Sequence, residues 1–179
     1  MLTIESIIDH LSNRADGLYG GEAVTQLEHA LQCASLAEAA GASAGLITAA
    51  LLHDLGHLGD DHRRPHEELA AEQLASLFDA TVTEPIRLHV AAKRYLCASD
   101  ARYWDTLSSA SKQSLERQGG PYMAAQAADF ILQPHVVDAI RLRQWDDLAK
   151  VPGAATASLP HFVAIMLGTV IPRAALRAA

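Results

Sequence analysis

Three observations predict an all-α fold. Apolar residues recur at helical spacing in one segment after another, as in Ile4 to Leu11 and in the set Leu27, Ala30, Leu31, Ala34 and Ala37. Strand-type alternation is nearly absent and no internal repeat is visible. Breakers such as Asp16-Gly17, Gly20-Gly21, Gln118-Gly119-Gly120-Pro121 and Pro152-Gly153 punctuate the chain where helices must stop. With 179 residues and 50% hydrophobic content, the chain fits one domain with a full-sized core. That core is expected over about residues 19–150, with a helical tail over about 152–179.

In chain order, a first helix over Ile4 to Leu11 gives way to a glycine-flanked loop carrying Tyr19 and Glu22. Thr25-Gln-Leu-Glu28 suits a capping box for a second helix that stops at Gly41. Ser43 caps a central helix expected to end near Gly59, and Pro65 suits the first position of a helix running through His66 to Leu77. Thr83-Glu84-Pro85 opens another helix, with His89 and Lys93 one turn apart, ending near Leu96. An Ala-rich helix from Met123 to Leu132 and a helix from Pro134 to about Lys150 follow. The apolar run from Leu159 to Ile171 is a packed terminal helix or a partner-binding element.

Composition narrows the function. Fourteen basic against 21 acidic residues, net −7, give no electrostatic footprint for nucleic acid. The run Phe162 to Ile171 is far short of the roughly 20 residues a membrane span needs. Cys33 and Cys97 form no C-x-x-C pair and suit a reducing compartment. The start Met1-Leu-Thr-Ile-Glu-Ser lacks the basic-then-apolar pattern of a signal peptide, so a cytoplasmic protein is expected.

The stretch Ala49-Ala-Leu-Leu-His53-Asp54-Leu-Gly-His57 places two histidines and a carboxylate where a buried helix carries leucines. A buried ionised Asp costs several kcal/mol unless a cation compensates it, and a metal ion does so directly. His29, His66, His89 and Asp146 join this stretch as buried-looking ligand types on other predicted helices. Six ligands are too many for one ion but suit two first-row metals sharing Asp54 as a bridge. Imidazole and carboxylate without thiolate favour iron or manganese over structural zinc.

His29, the adjacent His53-Asp54 and the distant Asp146 resemble the H…HD…D signature of the HD-domain superfamily, all-α metal-dependent enzymes. The further His66 and His89 resemble its dinuclear branch. Within that branch the chain looks like the mixed-valence di-iron oxygenases that cleave the carbon–phosphorus bond of 1-hydroxy-2-aminoethylphosphonates or their trimethylammonio analogues. The closer likeness rests on Tyr19-Gly-Gly-Glu22, Gln26-Leu-Glu-His29-Ala-Leu-Gln32, His53-Asp-Leu-Gly-His57, His89-Val-Ala-Ala-Lys93-Arg-Tyr-Leu96, Ser108-Ser-Ala-Ser111-Lys-Gln113, Gln118-Gly-Gly120 and Arg143-Gln-Trp-Asp146. The connection between Asp54 and His66 is shorter than this likeness leads one to expect.

The resemblance implies two iron ions as an Fe(II)/Fe(III) pair with O2 as co-substrate, held by His29, His53, Asp54, His66, His89 and Asp146. It implies that His57, Lys93, Ser111 and Arg143 hold the phosphonate. A planar guanidinium fork, a point charge and a hydroxyl are suited to that anion independently of the likeness. It also implies a lid pair, in which Tyr19 covers an iron position before substrate arrives and Glu22 addresses the substrate's amine. The reaction implied is oxygenation of C1 with release of phosphate and glycine or glycine betaine. The expected partner is thus a small-molecule phosphonate, with the protein a monomer or homodimer. An HD-type phosphohydrolase acting on a phosphate ester or nucleotide would use the same dyad, and a catalytically silent binding module is the third reading.

Overall fold

The computed structural model describes residues 2–58 and 64–172, with His57 and Leu58 described for their backbone alone. Among these residues there are ten α-helices: α1 Ile4–Asn13, α2 Gln26–Ala39, α3 Ala44–Leu52, α4 His66–Leu74, α5 Ala80–Ser99, α6 Tyr103–Thr106, α7 Ser109–Arg117, α8 Ala124–Phe130, α9 Val136–Leu148 and α10 Leu159–Leu167. The only extended pairings among them are two isolated bridges, Leu18 with Thr25 and Phe78 with Val170.

Helix starts follow local chemistry. Thr3 and Thr25 each close a reciprocal capping box, and the side chains of Ser43, Asp79 and Ser108 accept from the first turns of α3, α5 and α7. α3 is the axis of the domain: every residue from Gly45 to Leu52 is buried. α2 and α5 pack on it, α9 lies along α5, and α4 packs against α5. α10 covers α3 through Phe162 and Met166. Ile171 donates to the carbonyl of Leu77 at 2.9 Å, so the terminal apolar run is a packed element of the core. A second, smaller apolar cluster joins Leu88 and Ala92 of α5 to Phe130, Val136 and Ala139.

Three boundaries differ from the sequence expectation. The central helix ends at Leu52 instead of near Gly59, and Leu55–Leu58 form a separate 3-10 turn. Gly56 explains the break: a Cβ there would collide with the carbonyl of His66 and lie 3.0 Å from the Ala70 nitrogen. Only a glycine lets this turn lie flat against α4. α5 begins at Ala80, ahead of Thr83, because Asp79 caps the Thr81 N–H at 2.9 Å. Pro85 therefore sits inside the helix, where burial of both Pro85 and Ile86 offsets the missing hydrogen bond. α9 ends at Leu148, which leaves Lys150 on the connection that follows.

Candidate metal centre

Four elements and the turn after α3 deliver six ligand-type side chains to one place. His29 comes from α2, His53 and Asp54 from the turn after α3, His66 from the first position of α4, His89 from α5 and Asp146 from α9. Early termination of α3 makes this possible. On a continuous helix His53 and Asp54 would diverge by about 100°; off the helix end, His53 Nε2 and Asp54 Oδ2 approach to 3.2 Å.

Each histidine is oriented through its Nδ1. His29 faces the carbonyl of Ala149 at 2.8 Å, His53 that of Ala50 at 3.0 Å and His89 that of Ile86 at 2.7 Å, while His66 faces the Glu67 carboxylate at 3.2 Å. A carbonyl or carboxylate can only accept, so the proton belongs on Nδ1 and the Nε2 lone pair points away from the anchor. The four Nε2 atoms meet in pairs, His29 with His53 at 3.3 Å and His66 with His89 at 3.2 Å. Asp54 divides its oxygens between the pairs. Oδ2 lies 3.6 Å from His29 and 3.2 Å from His53; Oδ1 lies 3.3 Å from His66 and 4.0 Å from His89. Asp146 Oδ1 adds a further oxygen 3.5 Å from His29.

Lone pairs converging at these distances repel one another unless a cation lies among them. The protonation equilibria show the same demand. Burial opposes charge on His53, yet the adjacent Asp54 carboxylate outweighs it and raises the pKa to about 9. Burial holds His29 below its ordinary value and His89 well below, the latter with further help from His66. The donor set thus fits two metal ions flanking a bridging carboxylate. His66 belongs to it despite the short connection from Asp54. Cys33, one turn after His29, was not expected here; its Sγ lies 3.7 Å from His29 Nε2. Burial pushes its thiol well above the usual range, so it lines the centre as a neutral group.

The wall of this centre is cationic. A cavity of about 540 Å³ opens from the histidines onto Lys93, Ser111, Ser114, Arg143 and Lys150. Lys93 is 2% exposed and donates to Ser114 Oγ at 2.7 Å. Burial first, and then Arg143, lower its pKa to about 8. Arg143, 3% exposed, is more committed than the sequence suggested. Its Nη1 holds Asp146 Oδ2 at 2.6 Å, while Nε and Nη2 both engage Asp147. Arg143 therefore fixes the Asp146 carboxylate with Oδ1 turned toward His29. Ser111 Oγ accepts from Lys150 Nζ at 2.8 Å.

The Tyr19–Glu22 turn closes the opposite side. The Tyr19 ring stacks on His29 with centroids 3.8 Å apart, and its hydroxyl lies 3.4 Å from Asp146 Oδ1. Burial, reinforced by Asp146 and Asp54, raises its pKa well above the ordinary value and keeps it a neutral phenol. Glu22 Oε1 accepts from Ser108 Oγ at 2.5 Å and lies 3.4 Å from Lys150 Nζ. The side chain of His57 lies outside the described residues; its backbone is in the 3-10 turn, so it does not continue the face of α3 that ends at Leu52. Sequence reasoning did not single out Lys150, Ser108, Ser114 or Asp147 for the site. The signal available was weak: Asp147 and Lys150 lie one turn beyond Arg143 and Asp146, a spacing equally typical of a solvated face.

A family profile described as HD domain matches residues 27–116. The chain is 45% identical to the hydroxymethylphosphonate dioxygenase of Gimesia maris, over 89% of this chain and 84% of that one. It is 40% identical to the [1-hydroxy-2-(trimethylamino)ethyl]phosphonate dioxygenase (glycine-betaine-forming) of Leisingera caerulea, over 89% and 86%. An uncharacterised protein of Acanthamoeba polyphaga mimivirus is 32% identical over 92% and 80%.

Proposed function

The chain belongs to the HD-domain family, and from that premise we propose that it is a di-iron oxygenase of 1-hydroxyphosphonates. The observation that carries this reading is the divided Asp54 carboxylate, with a histidine pair on each oxygen, beside buried Lys93 and Arg143. His29, His53 and Asp146 would hold one iron, His66 and His89 the other, and Asp54 both. When bound, an iron pair supplies the redox chemistry that couples dioxygen to oxidation of C1. The net change adds one oxygen atom to C1 and one to phosphorus: the C–P bond breaks, the C1 hydroxyl carbon becomes a carboxylic acid, and phosphate leaves.

The protein's own groups bind and orient. Lys93 brings a desolvated positive charge to the phosphonate, Ser111 a hydroxyl, and Arg143 those of its five donors that the two aspartates leave over. His57 completes the anion contacts in this reading. Tyr19, stacked over His29, shields the centre from water until substrate displaces it. Two relatives act on substrates that share the 1-hydroxyphosphonate head and differ in the tail, hydrogen in one and a trimethylammonio methyl group in the other. The 1-hydroxy-2-aminoethyl and trimethylammonio substrates, giving glycine and glycine betaine, and hydroxymethylphosphonate, giving formate, are thus the candidates. The reduced state of two cysteines and the solubility of such substrates are consistent with work in the cytoplasm.

The test is aerobic incubation of iron-loaded protein with each 1-hydroxyphosphonate, measuring phosphate release and O2 uptake. Equal release and uptake is the expected result. Hydrolysis of a phosphate ester under strict anaerobiosis, without phosphonate turnover in air, would establish the phosphohydrolase reading instead.

A further inference from the structure

We propose that Lys150 sets the tail preference of this site, acting as a built-in counter-ion for Glu22 that stands where a cationic substrate tail would otherwise be received. The inference rests on the 1-hydroxyphosphonate reading above. It selects, among the candidate substrates, those without a positive tail, of which hydroxymethylphosphonate is the smallest.

Among the described residues lining the cavity there are three carboxylates, Glu22, Asp54 and Asp146. Asp54 and Asp146 face the histidines, so an ammonium entering the cavity away from the metal centre finds its counter-charge at Glu22. That position is taken. Glu22 Oε1 already receives Ser108 Oγ at 2.5 Å and has Lys150 Nζ at 3.4 Å, with the two charged side chains only 16% and 12% exposed. The ammonium of Lys150 is also tied to Ser111 Oγ at 2.8 Å, which draws it to the cavity wall.

Its placement is enforced by the backbone on both sides. The carbonyl of Ala149 accepts from His29 Nδ1 at 2.8 Å. Val151 is gripped twice by the side chain of Gln32, which donates to its carbonyl at 2.9 Å and accepts from its N–H at 3.1 Å. Lys150 sits between these two anchors to α2, and a charge held on so short a fixed segment cannot retreat far. A second cation brought beside it meets like-charge repulsion in a partly desolvated setting, a cost that discriminates against one substrate without improving contacts to the other.

The test compares wild type, Lys150→Met, Lys150→Arg and the double variant Lys150→Met with Glu22→Gln. Two readouts are taken for hydroxymethylphosphonate and for 1-hydroxy-2-(trimethylammonio)ethylphosphonate: affinity by anaerobic calorimetry on iron-loaded protein, and kcat/KM from phosphate release in air. Wild type is expected to prefer hydroxymethylphosphonate in both. Lys150→Met should swing the ratio toward the cationic substrate by about tenfold or more. Lys150→Arg should keep the wild-type ratio, and adding Glu22→Gln should abolish the swing. Lys150→Gln, which keeps a donor for Ser111, takes the place of Lys150→Met if that variant does not fold. An equal loss for both substrates would make Lys150 a plain phosphonate contact and overturn the proposal, as would a wild-type preference for the cationic tail. Binding with the expected ratios but no oxygen-dependent turnover would overturn the oxygenase reading while leaving the role of Lys150 supported.

Discussion

The two halves of the cavity are built by different means. Around Asp54, three of the four histidines are anchored by Nδ1 to main-chain carbonyls of the buried scaffold, so their directions are as fixed as the helices themselves. Around Glu22, the contacts run from side chain to side chain: Ser108 to Glu22, Lys150 to Glu22 and Ser111, Lys93 to Ser114. A backbone anchor changes only when the fold changes, whereas a side-chain contact changes with one codon. The arrangement separates invariant chemistry from an adjustable choice of substrate.

The most severe way to break this comparison is at its centre. Asp54→Ala removes the carboxylate shared by both histidine pairs. We expect loss of both metals and of all turnover, read by metal analysis of purified protein; retention of two ions would refute the bridge. Arg143→Ala comes next. Sequence alone suggests a variant that keeps its metal and loses substrate affinity, but the grip of Arg143 on Asp146 Oδ2 changes the expectation. Metal affinity should fall by about 10–100-fold together with substrate binding, and unchanged metal affinity in a chelator competition would restore the simpler role.

Lys93→Ala probes the side-chain half without touching the anchors. Metal content should stay at wild type while KM for the phosphonate rises by roughly tenfold or more; a fall in metal content would place Lys93 in the first half instead. The smallest effect is one of pH. With a pKa of about 8 in the free protein, Lys93 is charged below that value and neutral above it. KM should therefore rise as pH climbs past about 8, and Lys93→Arg, which stays protonated, should flatten that rise. An identical profile in the variant would assign the titration to another group.

How much of this the sequence disclosed follows the same division. The all-α architecture and the six ligands were legible because helical periodicity is local and because His and Asp at apolar positions demand an explanation. The end of α3 was not, since the collision that stops it involves Gly56 and the distant carbonyl of His66. Arg143 was recognisable as a cation for the site, but its engagement with Asp147 depends on burial of a carboxylate that looked solvated. Lys150 was hidden for a related reason. It lies beyond the end of α9, and only the clamp from Gln32 brings it to the cavity.

The turn that carries Tyr19 and Glu22 has a mechanical consequence. The Glu22 N–H donates to the Tyr19 carbonyl at 2.6 Å, and the Leu18–Thr25 bridge closes the turn behind them, with Gly20 and Gly21 at positive φ completing it. Aromatic ring and carboxylate are therefore two prongs of one rigid body. Lifting the ring off His29 necessarily pulls the carboxylate from its ammonium, so access to the metals and release of the ion pair are a single motion. Added salt, by weakening that ion pair, works on the same hinge as the incoming molecule.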